Sequence, residues 1–302
     1  MPMNRQQFKK QLQRGLNVVF GLEYKRYPEE WRAIFDVSSS DKAYEEDVLV
    51  VGLGPAAVKP EGRSVAYDEG GESWTARYVH ETIALAFAIT EEAMEDNLYM
   101  SLGAKYARAL ARSMVHTKEI KAANVLNNGF LGGAYAIGDG QALFSTAHPL
   151  WNGQTGANTL STQADLAEAS LEDVDTLIQT MVDDRGIPVA AQGLKIIVPP
   201  ALAYTCERLL TSPGRPGTPD NDINALKGMG RFPGGYTVNR RLTDPFAWFI
   251  KTDVPDGLKY FQRVGMKRGM EGDFETGNMR YKARERYSFG VTDWRGVVGC
   301  HG

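Results

Sequence analysis

The stretch VLVVGLGPAAV, residues 48–58, has the residue types of a dinucleotide-binding turn. In that chemistry, glycines such as Gly52 and Gly54 allow a tight turn and the close approach of a pyrophosphate, which binds at the N-terminus of the next helix. Here VKPEGR follows, and a proline followed by a glycine is incompatible with the first turns of a helix. Three acids occur at about the spacing of a ribose-binding residue: Asp68, Glu69 and Glu72. Because they lie in a turn-like segment, we expect a strand and a loop, with a dinucleotide-binding oxidoreductase as the alternative.

Ser145 and His148, in FSTAHP, are a possible nucleophile and base. They stand in a loop that ends in proline and lack the strand, sharp turn and helix of a nucleophile elbow, and no GxSxG motif occurs. None of the four histidines has a partner at metal-ligand spacing: His80, His116, His148 and His301. Cys206 and Cys300 form neither a CxxC pair nor a disulfide framework. We therefore predict no catalytic residue, no metal site and no cofactor, and two free thiols.

The composition is that of a globular protein. Of the 302 residues, 43% are hydrophobic and 24% are charged, and no apolar run is long enough to cross a bilayer. The net charge of −3 predicts no overall attraction to nucleic acid, although a local patch can still bind it. The N-terminus is basic and lacks the unbroken apolar stretch of a secretion signal. Its four cations are Arg5, Lys9, Lys10 and Arg14.

Strand signals dominate residues 46–90. VLVVGLG and the run that begins at Trp74 are rich in β-branched and aromatic residues, and the turn residues 68–71 predict a hairpin tip between them. The second arm would extend for about fifteen residues, against five or six in an average strand. Since one core cannot cover arms of that length, we expect the hairpin to project from the body of the protein.

Residues 90–127 predict one very long helix. Thr90 is a suitable N-cap, the acids of residues 91–96 suit the positive helix start, and Gly129 can end the helix. At 1.5 Å per residue the helix would be about 55 Å long. Its apolar residues are four apart and so wind around the axis, which predicts that different neighbours cover successive segments.

Short helices and strands alternate in the remainder of the chain. We expect a helix from Ser170, a buried strand at LKIIVPP and a helix over residues 201–210. Further strands are expected at residues 236–239, 247–252 and 258–264.

The segment MRYKARERYSFGV then alternates charged and apolar residues with the period of a strand. One face is cationic: Arg280, Lys282, Arg284 and Arg286. Because like charges at alternate positions repel one another, we expect acidic groups opposite this face. Carboxylates of a neighbouring subunit, such as those of residues 91–96, are preferred, with DNA phosphates as the alternative.

Four stretches spread over nearly the whole chain carry a resemblance to a known family: FGLEYKRYPEEW, DGQALFSTAHP, IIVPPALAYTCERLL and RYKARERYSFGVTDWRG. They resemble segments of Mu-like major head subunits, the major capsid proteins of tailed phages. The fold class implied is α+β, the Hong Kong 97-type capsid fold. The resemblance implies an N-terminal arm (1–45), an extended loop (46–88), a peripheral domain (89–184) with a spine helix (90–127), an axial domain (185–260), and a return to the peripheral domain (261–302).

The function implied is self-assembly as hexamers and pentamers into an icosahedral head around double-stranded DNA, in a virion made in the host bacterial cytoplasm. Expected partners are other copies, DNA, and scaffolding, decoration and portal proteins, with no membrane. We expect the extended loop to lie on a neighbouring subunit. We also expect the arm, apolar through Phe8, Leu12, Leu16 and Phe20, to dock on an adjacent subunit and to have little structure alone. The alternative is a nanocompartment shell of the same fold around an enzyme cargo. The expected interface residues are Arg5, Lys9, Lys10, Arg14, Asp68, Glu69, Trp74, Arg280, Lys282, Arg284 and Arg286.

Overall fold

A computed structural model describes residues 5–90, 92, 99–214, 222–273 and 276–302, with side chains in the first helix from Leu12 and in the long helix from Leu102. The helices of this part are α1 (Arg5–Arg26), α2 (Tyr99–Asn127), α3 (Glu168–Gln179), α4 (Ala203–Thr211) and α5 (Ala225–Gly228). The strands are β1 (Asp36–Ser39), β2 (Tyr44–Val51), β3 (Gly71–Val79), β4 (Glu81–Ile89), β5 (His148–Pro149), β6 (Thr155–Gly156), β7 (Gly193–Val198), β8 (Tyr236–Val238), β9 (Trp248–Thr252), β10 (Leu258–Gly272), β11 (Met279–Val291) and β12 (Val297–Cys300).

Two four-stranded sheets organise the described chain. The first has the order β1-β10-β11-β4 and the second the order β12-β9-β7-β8, while β2-β3 and β5-β6 form two-stranded pairs. The second sheet is the centre of the larger core, where the predicted strand LKIIVPP is observed as β7 with Ile196, Ile197 and Val198 fully buried. Its partner β9 contributes Trp248 and Ile250 to the same core. A strand that is apolar at consecutive positions is typical of a sheet covered on both faces.

Helix α2 is the long helix that packs on the first sheet and is observed over Tyr99–Asn127. Of the predicted start, Thr90 and Glu92 are described, and the other acids of residues 91–96 lie outside the described residues. Ala107, Leu110, Ala111 and Met114 are buried on the side of α2 that faces the first sheet. The expected end near Gly129 agrees with the last helical residue, Asn127.

Helix α1 packs along α2 of the same chain. Leu12, Leu16 and Phe20 are buried in a cluster with α2 and with Tyr281 of β11, and Phe20 stacks on Tyr24 with 5.9 Å between ring centroids. The expectation that this arm docks on an adjacent subunit and has little structure alone is therefore wrong from Leu12 onward, and the Phe8 side chain lies outside the described residues. An apolar row on a helix fits any apolar surface, and α2 offers one within the same chain.

The turn after α1 is attached to α2 as well. The two carboxylate oxygens of Glu119 accept hydrogen bonds from the backbone N–H groups of Glu30, at 2.9 Å, and Trp31, at 3.1 Å. Burial, with a smaller effect of the nearby Glu30 carboxylate, raises the pKa of Glu119 to about 7. The N-terminal segment is thus held to its own subunit at a second point.

We expect the backbone amides of α1 to exchange slowly with solvent in the isolated subunit, because helix and packing must open together before exchange occurs. Hydrogen exchange followed by mass spectrometry measures this directly. Residues 52–70, which contain no helix or strand, are the internal reference for fast exchange. Equal rates in α1 and in that loop would contradict the packing of α1 on α2.

The hairpin differs from its expected form. Strands β2 and β3 pair from Tyr44–Val79 to Val51–Gly71, but the second arm does not continue as one strand of about fifteen residues. It is two strands of 9 residues each, β3 and β4, separated by His80, and β4 pairs with β11 in the first sheet. Residue types favour a strand on both sides of His80, whereas the partner of each strand is fixed by long-range packing.

Candidate assembly surfaces

The outer face of the first sheet is cationic, as its alternating sequence predicts. Tyr281, Ala283, Glu285 and Tyr287 of β11 are buried, and the first two pack in the α1 and α2 cluster. The intervening side chains therefore point away from the helices. We call this outer face of β10, β11 and β4 the cationic face. Its β11 cations are Arg280, Lys282, Arg284 and Arg286, and Lys267 of β10 lies directly opposite Arg284.

The acidic partner of the cationic face comes from its own chain at one end. Arg280 forms an ion pair with Asp273, which lies in the connection between β10 and β11. At the other end, Arg286 donates hydrogen bonds to the carbonyl oxygens of His80, at 3.3 Å, and Ala43, at 3.4 Å. The acids of residues 91–96, one of the partners expected from the sequence, lie outside the described residues except for Glu92.

The loop between β2 and β3, residues 52–70, is the second candidate surface. It contains no helix and no strand, so no helix follows Gly54 to bind a pyrophosphate, and the dinucleotide alternative is excluded. Several of its apolar side chains face solvent: Leu53 is 60%, Val58 93%, Val65 60% and Tyr67 96% exposed. Apolar side chains grouped on a protruding loop are typical of a protein contact surface.

The base of this loop is held by charged side chains. Asp68 accepts hydrogen bonds from the backbone N–H groups of Gly54, at 2.7 Å, and Glu69, at 2.9 Å, which lower the pKa of the Asp68 carboxyl. Arg185 donates to the carbonyl oxygens of Gly52, at 3.1 Å, and Glu69. Asp68 therefore shapes the loop from within, while the Glu69 side chain is exposed.

The other expected interface residues divide into three groups. Trp74 is buried, and its indole N–H donates to the carbonyl oxygen of Thr292 at 3.0 Å, so it belongs to the core of its own subunit and not to an exposed surface. Arg14 is exposed on α1. The side chains of Arg5, Lys9 and Lys10 lie outside the described residues.

Ser145 and His148 do not form a nucleophile and base pair. The Nδ1 atom of His148 lies 2.6 Å from Asp139 Oδ2, and Nε2 lies 3.1 Å from Asn158 Oδ1, so neither ring nitrogen is left for Ser145. The imidazole is fully buried and stacks on Trp294 at 4.4 Å between ring centroids. This buried group joins three loops and has no access for a substrate.

Replacing Asp139 by alanine is expected to lower the free energy of unfolding by about 1.5–3 kcal/mol, the range for a hydrogen bond to a charged group. Urea unfolding of the isolated subunit measures the change. Asp41→Ala is the matched control, because Asp41 is exposed and its removal should change the same quantity by less than about 0.5 kcal/mol. Equal effects of the two variants would show that the His148 pair is not stabilising.

Known proteins share the sequence pattern and the fold of this chain. A family model described as "Phage capsid protein" matches residues 74–299. The chain belongs to the phage capsid protein family. None of the curated proteins matches the sequence, so the relationship appears in the family pattern and in the fold.

The capsid protein also resembles solved capsid structures over nearly its whole length. It is similar to a virus-like particle from Pyrococcus furiosus, with a TM-score of 0.55, 10% identity, and coverage of 95% of this chain and 98% of that chain. The capsid of Myoviridae phage XM1 gives a TM-score of 0.53 at 10% identity and 90% coverage of both chains. The capsid of an empty GTA particle gives 0.55 at 12% identity, with coverage of 92% and 91%. Identities this low show a shared fold.

Two predictions are confirmed by these findings: the α+β, Hong Kong 97-type fold and the major capsid protein that forms a phage shell. The family is a structural one, and the place of its members is the virion. No finding favours the nanocompartment alternative, and the Mu-like subfamily stays a prediction. No helix in the described part of the capsid protein is long and apolar enough to span a bilayer.

The capsid protein also contains a buried ion pair that the sequence interpretation missed. Lys118 Nζ lies 2.6 Å from Glu285 Oε2, and the two side chains are 8% and 2% exposed. Lys118 also donates to the Tyr24 hydroxyl at 3.0 Å. Four aromatic rings surround its ammonium group, at 5.1 to 5.9 Å: Tyr24, Trp31, Tyr260 and Tyr287. The pair joins α1, α2 and the first sheet. In the sequence its one signal is Glu285, the acid among the inward-facing positions of β11.

Proposed function

We propose that copies of this capsid protein assemble as hexamers and pentamers into an icosahedral phage head that encloses double-stranded DNA. The family match over residues 74–299 carries the proposal. The two exposed surfaces support it, because a chain with an apolar protruding loop, and with three cations on the cationic face that form no ion pair among the described residues, has contacts to make outside its own fold. No catalytic role is part of the proposal.

The domain organisation taken from the resemblance stays a proposal, and both sheets cross its boundaries: β4 of the extended loop lies in the sheet of β11, and β12 pairs with β9 of the axial domain. The arm (1–45) contains α1, the extended loop (46–88) contains the protruding hairpin, and the peripheral domain (89–184 and 261–302) contains α2 and β11. The axial domain (185–260) then contains β7, β8 and β9. Within the extended loop, the part free to reach another subunit is the β2-β3 hairpin, since β4 is held in the first sheet.

We propose that residues 52–70 lie on a neighbouring subunit. The exposed Val58 and Tyr67 side chains support this, because contact with a second copy removes their apolar area from water. Arg185 and Asp68 fix the base of the loop and so give it a defined direction before contact. A loop that is ordered in advance loses less conformational entropy on binding.

The remaining partners follow from the same role. The subunit is made in the host bacterial cytoplasm, and its assembly involves scaffolding, portal and decoration proteins. The packaged DNA is contacted without sequence specificity, as phosphate contacts allow.

Electron microscopy of the expressed protein tests the proposal. We expect closed icosahedral shells, and in particles from infected cells a nucleic-acid content that resists nuclease until the shell is opened. Shells that consistently enclose one cellular enzyme and no DNA would instead support a nanocompartment. A protein that stays monomeric under all conditions of salt and concentration would contradict both.

A further inference from the structure

The cationic face has an arrangement that the subunit alone does not explain. In the cross-strand rows, Lys282 lies between Gly269 and Ala86, and Arg284 lies between Lys267 and Ala84. Because Gly269, Ala84 and Ala86 have little or no side chain, the longer side chains of Lys282 and Arg284 extend further from the sheet than these neighbours do. A groove of about 730 Å³ lies beside this row of cations and is lined by Arg280 and Lys282 among others.

Within one subunit these charges are unfavourable. Lys267 and Arg284 are a like-charge pair directly opposite each other, which destabilises a sheet. Lys282 and Arg284 are alternate residues on one strand face, about 6.8 Å apart. Among the described residues, Arg280 has an acidic partner in Asp273, while Lys267, Lys282 and Arg284 form no ion pair. A partner outside the subunit would remove this repulsion.

The chemistry of that partner follows from charge. The whole chain carries a net charge of −3, although the cationic face holds five cations and the single carboxylate of Glu271. The remainder of each copy therefore carries a net negative charge of −7. A second copy supplies carboxylates without any other molecule, and its extended segments repeat side chains at the same spacing as β11.

We propose that the cationic face binds an acidic surface of a second copy of this chain, with Lys282 and Arg284 at the centre of the contact. The inference rests on the proposed function, since it names one contact within the shell. Like-charge contacts at such a position oppose association strongly. Reversal of the two charges is therefore expected to prevent assembly even where no DNA is present.

The test is assembly of shells from purified, nucleic-acid-free subunits, with Lys282→Glu/Arg284→Glu compared with wild type. We expect the yield of shells from the variant to fall at least about tenfold, the fall that a loss of about 1.4 kcal/mol produces in a single equilibrium constant. The isolated variant subunit should unfold at the same denaturant concentration as wild type or at a higher one, because the repulsion with Lys267 is gone. Normal DNA-free shells would overturn the inference, and if those shells also failed to retain DNA, the partner would be phosphate.

Arg108→Glu/Arg112→Glu is the matched control. Both arginines are exposed on α2, which packs on the opposite face of the sheet, and the change in net charge is the same. We expect this variant to form shells, and an equal loss in both variants would overturn the assignment to the cationic face. Failure of wild type itself to form shells would contradict the proposed function. A loss of shells in Lys282→Glu/Arg284→Glu alone concerns only the contact made by the cationic face.

Discussion

Replacing Lys118 by methionine is expected to lower the free energy of unfolding of the subunit by about 3–5 kcal/mol, because the Glu285 carboxylate then stays buried without its cation. Methionine keeps most of the volume of the lysine chain, so the loss measures charge and hydrogen bonding more than packing. Tyr24 also loses the ammonium group that donates to its hydroxyl. Chemical denaturation of the isolated subunit, followed by tryptophan fluorescence, measures the change.

The pH dependence of this variant gives a second readout. Burial raises the pKa of Glu285, and Lys118 opposes that shift. Without Lys118 the folded subunit binds a proton at Glu285 more readily than the unfolded chain does, so its stability rises as the pH falls through the raised pKa towards the ordinary one. The difference in stability from wild type is therefore expected to shrink as the pH is lowered through the raised pKa of Glu285 towards the ordinary pKa of a glutamate.

The matched control removes both charges. Lys118→Met/Glu285→Met leaves no unpaired carboxylate, and we expect it to recover most of the stability lost by the single variant. A double variant as unstable as Lys118→Met would show that packing in the aromatic cluster, rather than the ion pair, dominates at this site.

Replacing Val58 and Tyr67 together by serine is expected to abolish shell formation while leaving the subunit folded. Each side chain is almost fully exposed in the isolated subunit, so the free energy of unfolding should change by less than about 0.5 kcal/mol. In the shell, burying a side chain of this size contributes about 1.5–3 kcal/mol. Each contact between subunits is therefore expected to weaken by about 3 kcal/mol or more, which is a factor of more than one hundred in affinity.

Sedimentation of purified subunits under assembly conditions measures this effect. The control is Lys59→Ser/Glu61→Ser, in which two polar and exposed residues of the same loop are changed. That variant should assemble like wild type, since charges exposed to solvent contribute little. Intact shells from Val58→Ser/Tyr67→Ser would show that the loop does not dock through its apolar side chains.

Features with a local cause were predictable from the sequence. The alternation along β11 identifies its cationic face, because side chains of successive residues in a strand point to opposite sides. The four-residue spacing of α1 identifies its apolar row. Pro60 and Gly62 exclude a helix after Gly54 and with it the dinucleotide site. The family itself was recognised from four short stretches, and the matched range 74–299 includes three of them completely.

The tertiary structure decided which groups meet. Glu285 and Lys118 are 167 positions apart, and nothing within β11 distinguishes an inward acid with a partner from one without. The same limit explains Trp74, which is buried and donates a hydrogen bond to the distant Thr292. It also explains α1, whose apolar row packs on α2. The conformational preferences of residue types extend over only a few positions of the chain. The sequence by itself therefore determined the helices and strands, the polarity of their faces and the family. The partner of each face depends on how distant segments pack, and only the folded chain decided that.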